Sequence, residues 1–442
     1  MENGLSCFHE FVHSRPGQLI VQPRMGFSQF DRMREGLACV KNINAHTVGT
    51  ITLDSFTRTG DFRSAKEAIE NHRPLNGYPI VSYGARVNRQ LIDGLAGPDF
   101  PVQVRHGCSR PESIFKAIID AGIDATEGGP VSYCLPYGRV PLTASAASWR
   151  ACCEMFAEGD HTKRHIESFG GCIMGQLCPP AMLIAVTVVE ALFFRQYGVR
   201  SFSVSLSQGS NFQQDAAALS ALRIVSRKYL GDQDQWHIVY YTFMGKFPVT
   251  VHGAKAIMKD SVRIAKSGKA DRIIVKTIKE AHQIPSIEDN RDALIQADRD
   301  FRAPLDPLEE QIDPGEVERI TEEADFLIEV LLNADNNLEN AIAAVFSKGY
   351  WDIPFCLHPD NRNAAFARLD DEGRVEWADT GNIPFPARIL KNHRRKNKKL
   401  SSKELLLMVS YNQIKYDFPG WKADRENGSA GEGILEKPLI QI

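Results

Sequence analysis

His237-Ile238-Val239-Tyr240-Tyr241-Thr242 and Arg272-Ile273-Ile274-Val275-Lys276 are short apolar runs, and the segment between them, Ala254–Ser267, repeats its apolar residues at helical spacing. Strand, helix, strand in that order implies parallel neighbours joined by a crossover helix. Ile273-Ile274-Val275 shows no polar alternation, as expected of a strand covered on both faces. The same texture extends towards the N-terminus in the runs Gln18–Gln22, Gly49–Leu53, Pro79–Tyr83, Val102–Arg105, Asp124–Glu127, Gly171–Met174 and Ser201–Leu206. Amphipathic segments such as Ala65–Asn71, Glu112–Ala121 and Ala216–Tyr229 lie among them. That makes nine strand candidates, whereas a closed (β/α)8 barrel takes eight. One run then lies outside the barrel. An open doubly wound sheet is the alternative, weakened because no G-x-G-x-x-G opens a helix near the N-terminus.

The length of 442 residues suits one large barrel or two to three smaller domains. With 43% hydrophobic and 24% charged residues the chain has ample material for a core, which excludes general disorder. A net charge of −3 argues against a chain-wide nucleic-acid or anionic-membrane binder. The nine cysteines contain no C-x-x-C and match neither a zinc site nor a disulfide framework. Free thiols in a reducing cytoplasm are expected. The N-terminus carries no secretory signal pattern. The most apolar stretch, Ala181–Phe194, is 14 residues long and contains Glu190. It is too short to span a bilayer and reads as a buried helix.

Beyond Lys276 the texture changes. Glu316–Leu332 places Val317, Ile320, Ala324, Leu327 and Leu331 on one helical face after Asp313-Pro314-Gly315. Arg388–Lys403 carries eight Lys/Arg and no acid. This run reads as a solvated helix face, with a dock for an acidic partner as the sharper alternative. No aromatics interleave with it, as nucleic-acid binding would favour. The expected organisation is a barrel over residues 15–350 and a smaller C-terminal region, 351–442, with a basic helix.

Polar residues follow the apolar runs. Arg24, Arg58, Arg105 with His106, Glu127 and Lys276 each stand just after or at the end of one. In a parallel α/β protein the C-terminal strand ends share one face, and the active site sits there. Three arginines on that face are costly without anions, and guanidinium forks suit carboxylate or phosphate. The bland alternative pairs each with a local acid such as Asp54 or Asp61. After Glu127 comes Gly128-Gly129-Pro130-Val131-Ser132-Tyr133-Cys134-Leu135-Pro136-Tyr137. Its glycines permit close approach of a ligand, and Tyr133 and Tyr137 offer hydroxyls. Lys276 and Glu280 are four apart and would share a side of any helix starting there. They form either a local ion pair or part of a site. Lys276 is also a candidate Schiff-base lysine of a cofactor-free lyase.

Around these residues the sequence resembles the large (epsilon) subunit of glutamate mutase, the adenosylcobalamin-dependent methylaspartate mutase. The matching blocks are QPRMG at 22–26, TLDSFTR at 52–58, LNGYP at 75–79, QVRHG at 103–107 and EGGPVSYCLPY at 127–137. Further ones are CPP at 178–180, QDAAAL at 214–219, MGKFP at 244–248, IVKTIKEAHQIP at 274–285, DIPF at 352–355 and GNIPFP at 381–386. They run in family order over roughly residues 15–390. The resemblance implies a (β/α)8 TIM-type barrel. It implies an isomerase that interconverts L-glutamate and L-threo-3-methylaspartate through a 5′-deoxyadenosyl radical, by way of acrylate and a glycyl radical. By resemblance Arg24, Arg58 and Arg105 clamp the substrate carboxylates, and His106, Glu127, Tyr133 and Tyr137 also contact substrate. Gly26, Asn76, Pro136, Phe247, Lys276, Glu280 and Ile284 match positions that touch adenosylcobalamin. Glu127, Lys276 and Glu280 are the expected catalytic set.

The family's cobalt-ligating motif, D-x-H-x-x-G, is absent from the chain. No metal ligand is therefore expected here, and a separate small subunit is expected to bring the cobalamin, in an assembly of two large and two small subunits. The chain departs from the family pattern at Tyr241-Thr242-Phe243, Lys246 and Pro130. The first two changes fall on the adenosyl side by resemblance. They keep open a related dicarboxylic or keto acid, in a biosynthetic pathway, as the substrate.

Overall fold

Eight short strands form one all-parallel sheet in the computed structural model: β1 (Ile20–Pro23), β2 (Gly49–Thr52), β3 (Val102–Arg105), β4 (Ala125–Gly128), β5 (His165–Ser168), β6 (Ser201–Ser207), β7 (Gln235–Tyr241) and β8 (Arg272–Val275). The structure describes residues 7–136, 138–158, 164–231, 234–391 and 400–420. Each strand pairs with its neighbours in the order β1-β8-β7-β6-β5-β4-β3-β2. The ring closes between β1 and β2: Val21 bridges Thr47, the Val21 N–H donates to the His46 carbonyl at 2.9 Å, and the Val48 N–H donates to the Val21 carbonyl at 3.3 Å. The chain is a (β/α)8 barrel of the TIM type with a C-terminal extension.

The N-terminal helix α1 (Cys7–His13) precedes the barrel. The strands are followed in turn by α2 (Phe30–Lys41), by α3 (Ser55–Thr59), α4 (Phe62–Glu70) and α5 (Ile80–Ile92), and by α6 (Glu112–Ala121), α7 (Leu142–Ala157), α8 (Pro180–Gln196), α9 (Phe212–Leu230), α10 (Val251–Ser267) and α11 (Ile287–Arg302). The extension comprises α12 (Pro307–Glu310), α13 (Pro314–Leu332), α14 (Leu338–Lys348), the antiparallel hairpin β9 (Phe366–Leu369) and β10 (Val375–Asp379), α15 (Ala387–Leu390) and α16 (Ser402–Asp417). Every residue of α8 from Pro180 to Phe194 is buried, because α13 packs over its outer side. No helix among the described residues is long and apolar enough to cross a membrane.

Two of the nine expected strands, rather than one, lie outside the barrel, and one barrel strand coincides with none of the nine runs. Pro79–Tyr83 is no strand: Pro79 stands at the N-cap of α5, where a fixed φ and a missing N–H suit a helix start. Gly171–Met174 is no strand either, but a 3-10 turn over Gly170–Cys172 and the residues after it. The fifth barrel strand is His165–Ser168, which has one apolar residue in four. It lacks an apolar run because this barrel is filled by a polar layer rather than by Val and Leu. His165 stacks 4.5 Å from Phe8 of α1, and Glu167 pairs with Arg272 at zero exposure. Lys276–Glu280 is a turn rather than the start of a helix. The nine cysteines are free thiols. Most of the basic run (392–399) and Tyr137 lie outside the described residues.

Candidate active site

Short strands deliver their polar ends to one rim. Arg24 follows β1, Arg58 sits in α3 just after β2, Arg105 ends β3, and Glu127 lies in β4. Together with His106 and Tyr133 they line a cavity of about 820 Å³. Arg105 donates from Nε to Glu127 Oε2 at 2.6 Å, and both side chains are buried. Arg105 Nη1 is buried with no hydrogen-bond partner. Such an orphaned donor on a cation is costly unless a ligand takes it up. The second Glu127 oxygen accepts from the Tyr133 hydroxyl.

Arg58 is not neutralised by the acids beside it. Asp54 is fully buried and spent on α3, accepting from the Thr57 N–H at 3.0 Å. Asp61 caps α4 through the Ser64 N–H at 3.0 Å. The Arg58 Nε donates to the Leu53 carbonyl at 2.7 Å, which aims the fork. Burial lowers the Arg58 pKa from its ordinary value, and the nearby Arg24 and Arg105 add to the effect. All three arginines line the same cavity.

On the β8 side, Glu280 Oε1 accepts from Lys276 Nζ at 3.0 Å and from Arg24 Nη1 at 3.2 Å. Burial first, then Arg24, brings the Lys276 pKa down to about 8. Burial alone would raise the Glu280 carboxyl, but Lys276 and Arg24 outweigh it and hold it below its ordinary value. The Lys276 ammonium lies 5.1 Å from the Phe247 ring centroid. Arg24, Arg58, Arg105 and Lys276 exceed Glu127 and Glu280 by two cations, a balance that suits a dianion.

His106 accepts the Cys108 N–H on Nδ1 at 3.1 Å, and its ring stacks 5.9 Å from Trp149. Burial and Arg58 depress its pKa to about 3, so the ring is neutral. With Nδ1 accepting, the hydrogen is assigned to Nε2, which is buried without a partner and offers a ligand a neutral donor.

Other expected contacts gather less tightly. Phe247 is buried, and Ile284 is 60% exposed on the rim. The Asn76 carbonyl oxygen accepts the Ser55 N–H at 2.9 Å, so half of its amide is spent on the loop. Pro136 is half-buried. A Cβ on Gly26 would stand 2.2 Å from the Thr52 carbonyl oxygen, so packing alone requires that glycine. Gly128 and Gly129 likewise make room for protein rather than ligand. A Cβ on them would meet the Tyr133 ring at 2.5 Å and the Glu190 carboxyl at 2.1 Å.

Several residues of the site escaped the sequence reading. Glu190, on α8, accepts the Val131 and Ser132 N–H groups at 3.0 and 2.8 Å and the Ser132 and Ser168 hydroxyls at 3.0 and 2.7 Å. It thereby pins the turn that carries Tyr133. Burial raises its pKa to about 7 against those bonds. Beneath the cavity, Gln22 donates to Gln103 at 2.8 Å and to Thr50 at 2.9 Å, and Gln103 donates to Glu167 at 3.2 Å. Tyr241, noticed only as a departure, bonds Glu127. The available signal was polar residues at alternate positions within strands.

A family profile described as methylaspartate mutase E chain matches residues 8–412. The glutamate mutase epsilon subunit of Haloarcula marismortui is 30% identical over 392 residues, covering 85% of this chain and 78% of that protein. That of Desulfitobacterium hafniense is 30% identical, covering 86% and 81%, and that of Yersinia enterocolitica is 29% identical, covering 85% and 80%. With the match spanning the whole barrel and every strand-end residue of the cavity, the chain belongs to the methylaspartate mutase E chain family.

Proposed function

We propose that this chain is the substrate-binding large subunit of an adenosylcobalamin-dependent carbon-skeleton mutase that interconverts L-glutamate and L-threo-3-methylaspartate. The observation that carries the reading is the convergence of Arg24, Arg58 and Arg105 on one cavity, with Arg105 Nη1 unpartnered and Glu127 beside it. Forks at separated points hold both carboxylates of a dicarboxylate while its carbon skeleton is rearranged between them. Glu127 takes the amino group, and neutral His106 donates to a carboxylate without exchanging protons near neutral pH. The barrel wall keeps water from the reacting carbons.

The β7–β8 mouth fits the cofactor. Buried Lys276 and half-buried Glu280 form a donor–acceptor pair beside Phe247, suited to ribose hydroxyls. Ile284, Val249 and Val251 expose apolar surface on the rim, where His282 ties the two loops by bonding the Val249 carbonyl at 2.9 Å. When bound, adenosylcobalamin supplies a 5′-deoxyadenosyl radical for hydrogen abstraction. Without D-x-H-x-x-G in the chain, a small subunit carrying that motif would supply the cobalt-ligating His, in a cytoplasmic assembly of two large and two small subunits. Residues 15–350, which take in α12–α14 of the extension, then form the unit that holds the site, and 351–442 form the remaining C-terminal region.

One observation favours a second reading. Lys276 is buried and its pKa is brought down to about 8, as an imine-forming lysine requires. Borohydride trapping with substrate labels Lys276 only if that reading holds. The direct test adds candidate substrates to chain, small subunit and adenosylcobalamin, and follows cob(II)alamin by absorbance. L-glutamate is expected to produce it; a response to a keto acid alone would assign a different substrate.

A further inference from the structure

Tyr241 ends β7, and its phenol reaches across the barrel interior to two carboxylates. Its single O–H proton is shared between two acceptors, Glu127 Oε2 at 2.9 Å and Glu167 Oε1, which is the nearer. Its ring lies under Arg105, whose guanidinium carbon is 5.1 Å from the ring centroid. The side chain is fully buried. Two ion pairs meet at this phenol: Arg105–Glu127, which faces the cavity, and Arg272–Glu167, which is wholly enclosed. Glu167 is anchored independently by Arg272 and Gln103. The phenol therefore links the cavity-facing pair to the enclosed one.

A carboxylate has about four lone-pair positions. On Glu127, Tyr133 and Arg105 fill two of them, and the Tyr241 hydroxyl, whose proton is shared with Glu167, covers a third. About one acceptor position remains for a ligand. The ligand donor that matches a single anionic acceptor is an ammonium group, while Arg105 Nη1 beside it matches a carboxylate. An α-amino carboxylate presents those two groups on one carbon.

We propose that Tyr241 is a specificity-determining residue. Its hydrogen bond holds Glu127 with one acceptor position aimed at the ligand amino group, so that the site prefers an α-amino dicarboxylate to the same dicarboxylate without the amine. This deepens the functional reading above and rests on it.

The test titrates the purified full chain with L-glutamate and with glutarate by calorimetry. Tyr241→Phe keeps the ring volume and the face beneath Arg105, and its melting temperature checks the fold. L-glutamate binding is expected to weaken about tenfold or more, the cost of one bond to a charged group. Glutarate should weaken far less, so the preference falls. Tyr241→His keeps a ring and an N–H donor, and should retain more of the preference than Tyr241→Phe. If only Tyr241→His folds, a preserved preference supports the assignment and a lost one overturns it. Equal weakening of both ligands in Tyr241→Phe, or none, also overturns it while leaving the site reading intact. A wild-type chain that binds neither ligand overturns both.

Discussion

Arg105 spends one nitrogen on Glu127 and leaves another without a partner in the cavity wall. An internal ion pair formed only for stability would have no reason to bury an unmet donor. Arg105→Lys keeps the charge but loses the planar fork. One charge-assisted bond is worth about 1.5–3 kcal/mol, so kcat/KM should fall roughly 10–150-fold with little change in melting temperature. Steady-state kinetics and thermal melting on one preparation decide it. Lys276 gives a pH prediction. Its pKa of about 8 means that its positive charge is lost as pH rises through that value. Affinity for a dianion should therefore fall above pH 8, and Lys276→Gln should flatten that limb; a limb that persists unchanged would acquit Lys276. Arg24, Arg58, Arg105 and Glu127 were legible in the sequence because a charge after an apolar run breaks the pattern. Tyr241 and Glu167 were not, since a Tyr or Glu in a strand reads as ordinary until the closed sheet brings β4, β5 and β7 together around one interior.

At the scale of elements, α8 shows why a lone acid in a buried helix deserves a chemical explanation. Glu190 joins α8 to the turn before Tyr133 by four accepted bonds. Its folded pKa of about 7 stands above the ordinary value of 4.5. Its contribution to stability is thus full below about pH 4.5 and is lost as pH rises through 7. Relative to Glu190→Gln, the wild type should lose on the order of 3 kcal/mol across that window. Urea unfolding at pH 5 and pH 8 measures it, and parallel curves for the two proteins would contradict the assignment. The strand misreadings have one cause. β5 was overlooked because its inward residues, His165 and Glu167, serve a polar barrel interior, whereas Pro79–Tyr83 is apolar because it buries the start of α5. Apolar runs report burial, and only pairing distinguishes a strand from a helix start.

In the whole molecule, the barrel sets the strand ends on one rim and divides that rim into an arginine-lined side at β1–β4 and a side at β7–β8 that carries Lys276 and Glu280. The extension supports the second side: Asp417 of α16 accepts the Val249 and Thr250 N–H groups at 2.9 and 3.0 Å and so fixes the loop after β7. The parallel alternation, and with it the barrel, was readable from the apolar runs, while the packing of α13 over α8 was not, because α8 is apolar on every side and points to no partner. Since the chain has no D-x-H-x-x-G, it should bind adenosylcobalamin weakly alone and tightly once a small cobalamin-carrying subunit is added. Equilibrium dialysis with and without that subunit measures the difference, and tight binding by the chain alone would overturn the division of labour. The most direct test of the central claim is conversion of L-glutamate to 3-methylaspartate by chain, small subunit and adenosylcobalamin, run beside Arg58→Met and Arg105→Met variants shown by melting to be folded. The account predicts turnover by the wild type and its loss in both variants; turnover that survives in either folded variant would contradict it.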